Sequence, residues 1–191
     1  MRKTTPPALL SLALAIGLLA APASAAQYDS AYTELDLDQC TVLDADDFGA
    51  EYACPGYKGI PMFVAEGDLR FMVSYGFGAP DAKAASQTLP PFNTVAPHIE
   101  WRVSNVSGGW KPFATIVRYL LDDDENEAQK KRQVLVVTKI SDKGTCQIAW
   151  IDAKANADAN ELARKAADEK AAGFDCDKEP EIVGKFEAWK R

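Results

Sequence analysis

The sequence predicts a single α+β domain in which an antiparallel β-sheet is covered by a C-terminal helix and held by two disulfides. Three observations favour this class. Several short segments alternate apolar and polar residues, which is the period of a half-buried strand. One segment near the C-terminus has the helical period instead, and the chain has four cysteines, an even number.

The N-terminus has the pattern of a secretory signal peptide. Two basic residues precede an apolar run over residues 8–21, and "PASAAQ" follows with a small-x-small cleavage site. We expect residues 1–25 to be removed before Ala26, with Gln27 as the next choice, which leaves 26–191 as one domain. The run is shorter than the roughly 18–20 residues of a membrane span, so the remaining chain is expected to be soluble and periplasmic or extracellular.

The composition is acidic and fits one domain. The net charge of the whole chain is −7, and loss of residues 1–25 removes two positive charges and no negative one. The remaining 166 residues then carry −9. This charge disfavours nucleic acid, whose phosphates require a basic surface, and also anionic membranes. The length suits one substantial core.

The first two cysteines are spaced for a disulfide-linked hairpin. Four cysteines in an exported chain indicate disulfides, although three pairings are possible. Cys40 and Cys54 flank an acidic segment in which residues 44–49 are typical of a turn. An antiparallel register that places Cys40 opposite Cys54 also places Val42 opposite Tyr52, with both pairs facing inward. The expected first bridge is therefore Cys40–Cys54.

The helical segment predicts the second bridge. In "NADANELARKAADEKAAGF", Asp158 can cap a helix with Glu161 three residues later, and Gly173 can end it. The apolar stripe consists of Ala159, Leu162, Ala163 and Ala166. Cys146 precedes the helix in the strand "TCQIAWI", and Cys176 follows it. We expect a Cys146–Cys176 bridge that joins helix to sheet.

The strands between the bridges differ in the faces they bury. In "HIEWRVS" the inward set is Ile99, Trp101 and Val103, and the outward set is His98, Glu100, Arg102 and Ser104. "LRFMVSY" alternates in the same way. "PFATIVRYLL" and "QVLVVTKI" are apolar on both faces, so they are predicted to pair as a central hairpin.

No segment predicts a metal, cofactor or redox site. The chain has no C-x-x-C pair, and one histidine with widely spaced cysteines does not fit zinc. Asp122, Asp124 and Asn126 resemble the start of a calcium loop, but Glu127 and Gln133 stand where such a loop requires glycine and glutamate. A solvated loop is therefore expected there.

No residue is assigned a catalytic role. His98 is close to Glu100 on a polar strand face, which favours a surface histidine with a local ion pair over a catalytic base. Neither a G-x-S-x-G elbow nor a phosphate-binding loop is present. A pair of carboxylates acting on a glycoside stays open, because a sequence does not give their separation in space.

The longest stretch without a strand pattern, residues 76–97, is a candidate binding loop. Loops of this length are often functional or contain a short helix. Phe77 near two glycines and Phe92 after two prolines are candidate binding residues, and Trp110 follows a glycine pair on another loop. The alternative is that Phe77 and Phe92 fold back to cover the sheet, as large aromatic residues usually do.

Four segments, "KAASQTLPPFNT", "EWR", "QVLVVTK" and "NELARKAADEKA", resemble those of small uncharacterised exported proteins of alphaproteobacteria. The resemblance covers most of the chain after the signal peptide. It implies export and a single fold, and it transfers no functional residue.

These features favour a non-catalytic role in the cell envelope. The expected function is binding of a protein or a small envelope component, or inhibition of an enzyme. A hydrolase that uses carboxylates and a structural or assembly role are the alternatives. A hydrolase would show titratable groups that converge in a pocket, whereas a binding module would show an exposed aromatic patch.

Overall fold

The computed structural model describes Met1 and residues 27–122, 132–142 and 144–189. The predicted signal peptide, apart from Met1, lies outside these ranges, as do Asp124 and Asn126 of the calcium-like segment. No helix within the ranges is long and apolar enough to cross a membrane.

The described ranges contain ten strands and one α-helix. In chain order the strands are β1 (Tyr28–Glu34), β2 (Thr41–Asp46), β3 (Gly49–Cys54), β4 (Met62–Gly67), β5 (Arg70–Tyr75), β6 (Asn93–Ser104), β7 (Lys111–Leu121), β8 (Arg132–Lys139), β9 (Cys146–Asp152) and β10 (Glu181–Ile182). The helix α1 (Ala159–Lys170) lies between β9 and β10. The predicted α+β class is confirmed.

The strands form two sheets, where the sequence predicted one. The larger sheet has six strands in the order β1-β6-β7-β8-β9-β10, and among the pairs of described strands only β9–β10 is parallel. The smaller sheet has four strands in the order β2-β3-β4-β5. The predicted hairpin of β7 and β8 is confirmed, and both strands are central in the larger sheet.

The main core lies between the two sheets. Apolar residues alternate along β4 and β5, so one set from each strand faces the larger sheet. At the centre Trp101 is 0% exposed, and its ring contacts the edge of Tyr75 at a centroid distance of 5.4 Å. Gly56 permits this packing, because a Cβ at that position would lie 2.9 Å from Cζ2 of Trp101.

Helix α1 covers the opposite face of the larger sheet. Its buried residues are alanines, which allow the helix to approach β7, β8 and β9 closely: Ala159, Ala163, Ala166 and Ala167. Asp158 is the N-cap residue, as predicted, but its side chain makes no capping hydrogen bond. Glu161 instead pairs with Arg164, with 2.8 Å between Oε1 and Nη1.

The sequence predicted that the polar face of β6 is exposed to water, but helix α1 covers part of this face. Arg102 is 6% exposed because α1 lies over it, and its guanidinium donates to Asp168 of the helix. Glu100, on the same face, accepts a hydrogen bond from Nε of Arg164 at 2.7 Å. The alternating pattern correctly predicts the buried Trp101 but does not reveal the helix behind it.

Both predicted disulfides are confirmed. Cys40–Cys54 joins the chain just before β2 to the end of β3. Cys146–Cys176 joins the start of β9 to the segment after α1, with Cys146 fully buried. The second bridge therefore ties the helical layer to the sheet, as expected.

Strand β2 differs from its prediction in two ways. Val42 lies opposite Tyr52 as predicted, but the two strands continue into the predicted turn, so that only residues 47–48 connect them. A bulge follows Val42, and no residue of β2 is buried. The expected inward position of Val42 is therefore wrong, because β2 is a free edge of the smaller sheet.

The segment 76–97 contains two short 3-10 helices, Ala79–Asp81 and Lys83–Ser86, and β6 begins at Asn93, before the predicted start of the strand. The side chain of Asn93 orders the segment: Oδ1 accepts from the Phe71 amide at 3.1 Å, and Nδ2 donates to backbone carbonyls of the loop. This loop is therefore an ordered connection between the two sheets.

Candidate functional site

The three aromatic residues predicted to bind do not form one surface. Phe77 follows β5 and is 88% exposed, so it does not fold back on the sheet. Trp110 precedes β7 and is 40% exposed. Phe92 is half-buried beneath the guanidinium of Arg70, which lies 4.8 Å from its ring centroid. Their binding role stays a prediction.

Strand directions explain this separation. Phe92 lies immediately before β6, at the end of the larger sheet where β7 finishes. Trp110 lies at the other end, where β6 finishes and β7 starts. Phe77 follows Tyr75, whose carbonyl accepts a hydrogen bond from Thr145, just before β9. Because β9 starts at the end of the larger sheet where β7 also starts, Phe77 lies at the same end as Trp110.

His98 is a surface residue, as expected, but its partner differs from the nearby Glu100. Nδ1 of His98 lies 3.8 Å from Oε1 of Glu34 on the neighbouring strand β1, and both side chains are largely exposed. Among the described residues, no group of three or more His, Cys, Asp or Glu is arranged to hold a metal ion.

A concave surface lies at the tips of the two hairpins of the smaller sheet. We name it the hairpin groove; it consists of an outer and an inner cleft. The outer cleft, of about 470 Å³, is lined by Ala45, Asp46, Asp47, Phe48, Gly49, Ala50, Glu66, Asp68 and Leu69. The inner cleft, of about 250 Å³, opens between the two sheets and is lined by Tyr52, Glu66, Leu69, Phe71, Asn93, Thr94 and Asp122. The two clefts share Glu66 and Leu69, so they adjoin.

The turn between β2 and β3 holds Phe48 outward. Oδ1 of Asp46 accepts hydrogen bonds from the amides of Phe48 at 2.7 Å and Gly49 at 3.0 Å, which fixes the turn. Gly49 is required because a Cβ there would lie 2.2 Å from the backbone oxygen of Glu66. Phe48 is 85% exposed on this ordered turn.

The neighbouring turn between β4 and β5 holds Leu69 outward. Asp68 and Leu69 both have positive φ, 51° and 57°, between the paired residues Gly67 and Arg70. Such two-residue turns favour Asn, Asp and Gly, so a leucine in this conformation is uncommon. Leu69 is nevertheless 63% exposed. The turn therefore presents an apolar side chain where a small polar residue would be easier to accommodate.

The groove is acidic. Among the described residues its lining contains five carboxylates and no basic side chain: Asp46, Asp47, Glu66, Asp68 and Asp122. Asp68 forms an ion pair with Arg70 beside the groove, and Asp46 accepts a hydrogen bond from the Phe48 amide. No hydrogen bond or ion pair joins the Glu66 carboxylate to another residue of the described ranges.

The free edge β2 forms one rim of this groove. Three of its exposed features are typical of edges that avoid strand pairing, namely Asp44, Asp46 and the bulge after Val42. The backbone of β2 is held by its ladder to β3 and by the Cys40–Cys54 bridge. The rim is therefore suited to contact through side chains rather than through an added strand.

Sequence reasoning missed the hairpin groove. The available signal was a large apolar residue within each acidic, glycine-containing turn, "DADDFGAE" and "EGDLRF". Such turns are normally polar, so Phe48 and Leu69 are the exceptions. The sequence gives no indication that the two turns adjoin.

No family model matches the chain, and comparison with curated proteins and with solved structures found no match. We therefore infer function from the geometry of the site.

Proposed function

We propose that this protein is an exported, non-catalytic binding module that captures a partner protein of the cell envelope, to hold it or to inhibit it, through the hairpin groove. The observation that supports this most directly is the pair of exposed apolar side chains, Phe48 and Leu69, on two adjoining turns. The two disulfides and the signal-like N-terminus support export.

Energetics favour a binding role for these two residues. Burying either side chain against a partner contributes about 1.5–3 kcal/mol, because apolar surface leaves water. The turns are already ordered by Asp46 and by the flanking strand pairs, so little conformational entropy is lost on binding. Aromatic anchors of this kind often dominate the affinity of an interface.

The same features contribute little to folding stability. No residue of β2 is buried, and Leu69 adopts a left-handed conformation that costs about 1–2 kcal/mol for a residue with a Cβ. A costly conformation that exposes an apolar side chain is more readily explained by contact with a partner than by packing.

The test is site-specific crosslinking. A photo-crosslinking phenylalanine analogue replaces Phe48 in one variant and Phe77 in another, since both side chains are similarly exposed and follow opposite ends of the smaller sheet. We expect one envelope protein to crosslink at position 48 and not at 77, and Leu69→Asn to abolish that product. Crosslinking at 77 alone would transfer the binding role to the predicted Phe77 surface, and absence of any product at 48 would refute the hairpin groove as the contact.

A carboxylate hydrolase is the second candidate, favoured by one observation. Glu66 and Asp122 line the same inner cleft beside two aromatic rings. This candidate predicts turnover of a cell-wall glycan that Glu66→Gln abolishes while the crosslink at position 48 persists. A binding module predicts no turnover by either form.

A further inference from the structure

The inner cleft places one carboxylate between aromatic rings. Glu66 points from β4 toward the larger sheet, because it lies in the same cross-strand row as Ala50 and Phe71. Tyr52, two residues beyond Ala50, is its diagonal neighbour, at a typical separation of about 7–8 Å. A ligand that enters the cleft therefore meets an acidic group flanked by two rings.

The size of the cleft limits its occupant. Its volume of about 250 Å³ is smaller than the roughly 300–1,000 Å³ of sites for drug-sized ligands and cofactors. A single long side chain fits this space better than a cofactor does. A carboxylate with adjacent ring faces selects a cation, and a planar guanidinium combines stacking on a ring with paired hydrogen bonds to a carboxylate.

We infer that the inner cleft receives an arginine side chain from a basic, extended segment of the partner protein. This inference rests on the proposed function and specifies the chemistry of the partner. The apolar residues of the same segment contact Phe48 and Leu69 in the outer cleft, while its positive charge complements the acidic lining.

Beside the groove, an arginine of this chain already binds to a ring and a carboxylate in the proposed way. The Arg70 guanidinium lies over the ring of Phe92 and pairs with the carboxylate of Asp68. In the inner cleft the ring and the carboxylate are repeated by Phe71 and Glu66, and none of its described lining residues is basic.

Charge also argues against a second copy of this chain as the occupant. The chain after the predicted signal peptide carries a net charge of −9, so two copies repel each other at long range. The acidic lining would then face another acidic surface. A basic partner segment is attracted instead, and this attraction weakens as salt screens it.

The test uses short labelled peptides in which arginine alternates with leucine and serine. A matched peptide carries citrulline, an uncharged isostere, in place of arginine, and another carries lysine. Binding to the full protein is measured by fluorescence anisotropy at low and high salt. We expect the arginine peptide to bind at least about tenfold more tightly than the citrulline peptide, with lysine between them.

Two variants that remove the same charge distinguish binding in the cleft from attraction to the negative charge of the whole protein. Glu66→Gln is expected to weaken binding of the arginine peptide about tenfold. Glu51→Gln, on the exposed outer face of the same sheet, is the matched control and is expected to change binding less than about twofold. Phe71→Leu keeps an apolar residue but removes the ring, so it should weaken binding of the arginine peptide. Thermal unfolding of this variant should remain cooperative.

The outcomes distinguish this inference from the proposed function. Equal binding of the arginine and citrulline peptides, or equal effects of Glu66→Gln and Glu51→Gln, would overturn the arginine site. An envelope partner that crosslinks at position 48 regardless of Glu66→Gln would also overturn it, while leaving the binding module intact. A dimer held through the groove at low salt would identify a second copy as the occupant and reject the basic segment.

Discussion

Arg102 on β6 and Asp168 on α1 form a doubly hydrogen-bonded ion pair, with Nε–Oδ1 at 2.9 Å and Nη2–Oδ2 at 2.7 Å. Nη1 of Arg102 also donates to the hydroxyl of Ser30 on β1. The pair is largely shielded from water, with side-chain exposures of 7% and 21%. It therefore fixes the helical layer on the edge of the larger sheet where β1 and β6 lie.

Asp168→Ala is expected to lower the free energy of unfolding by about 3–5 kcal/mol, because it leaves the Arg102 charge buried without its partner. The control is Glu169→Ala on the same helix, where the pair with Lys165 is exposed and 3.9 Å apart. That change is expected to cost about 0–1 kcal/mol. Urea unfolding measures both, and similar losses for the two variants would contradict the structural role of the Arg102–Asp168 pair.

Local patterns predicted the elements of this fold better than their arrangement. The inward position of Trp101 follows from alternation within one strand, and the Cys40–Cys54 bridge follows from a hairpin of short span. The burial of Arg102 depends on Asp168, which lies 66 residues later in the chain on helix α1, and no local pattern contains that contact. The second sheet was missed for the same reason, since a period of two does not say which strands pair.

The candidate site was predicted less well than the fold. Phe77 and Trp110 were correctly singled out as residues on loops, but the groove arises where two separate turns meet. Leu69 appeared to continue the strand "LRFMVSY", whereas its positive φ places it in the turn. Whether an apolar residue in a short segment belongs to a strand or to the turn before it depends on register, which is set by the partner strand.

Gly49→Ala is expected to destabilise the β2–β3 hairpin, because the new Cβ would lie 2.2 Å from the backbone oxygen of Glu66. Relief requires a shift of the backbone, for which a cost of about 1–3 kcal/mol is typical. Gly78→Ala is the control: its φ is −99°, and beyond its two chain neighbours no atom lies within 4 Å of where a Cβ would be. Thermal unfolding should show a change within about 0.5 kcal/mol for the control. Tolerance of Gly49→Ala would contradict the close approach of the two turns.

Removing the Cys40–Cys54 bridge with alanines is expected to loosen β2 locally. No residue of β2 is buried, so its attachment depends on the ladder to β3 and on the bridge. Hydrogen exchange should accelerate in Thr41–Asp46 more than in the central strands β7 and β8. The comparison is the variant in which Cys146 and Cys176 are both alanine. That bridge closes a longer loop, with a separation of 30 residues against 14. Its removal is expected to accelerate exchange in β9 and in the segment after α1. Unchanged exchange in β2 would show that its ladder suffices.

Stability is expected to fall at alkaline pH because of two buried tyrosines. Burial raises the pKa of Tyr75 and of Tyr119 well above the ordinary value of 10.0, since the ionised ring is poorly solvated between the sheets. Above about pH 10 the unfolded chain releases these protons while the folded chain keeps them, so stability is full below this pH and declines above it, by about 1.4 kcal/mol per pH unit for each tyrosine. Urea unfolding between about pH 9 and 12 measures the slope, and Tyr75→Phe should reduce it. An unchanged slope in Tyr75→Phe would show that Tyr75 does not contribute to the alkaline transition.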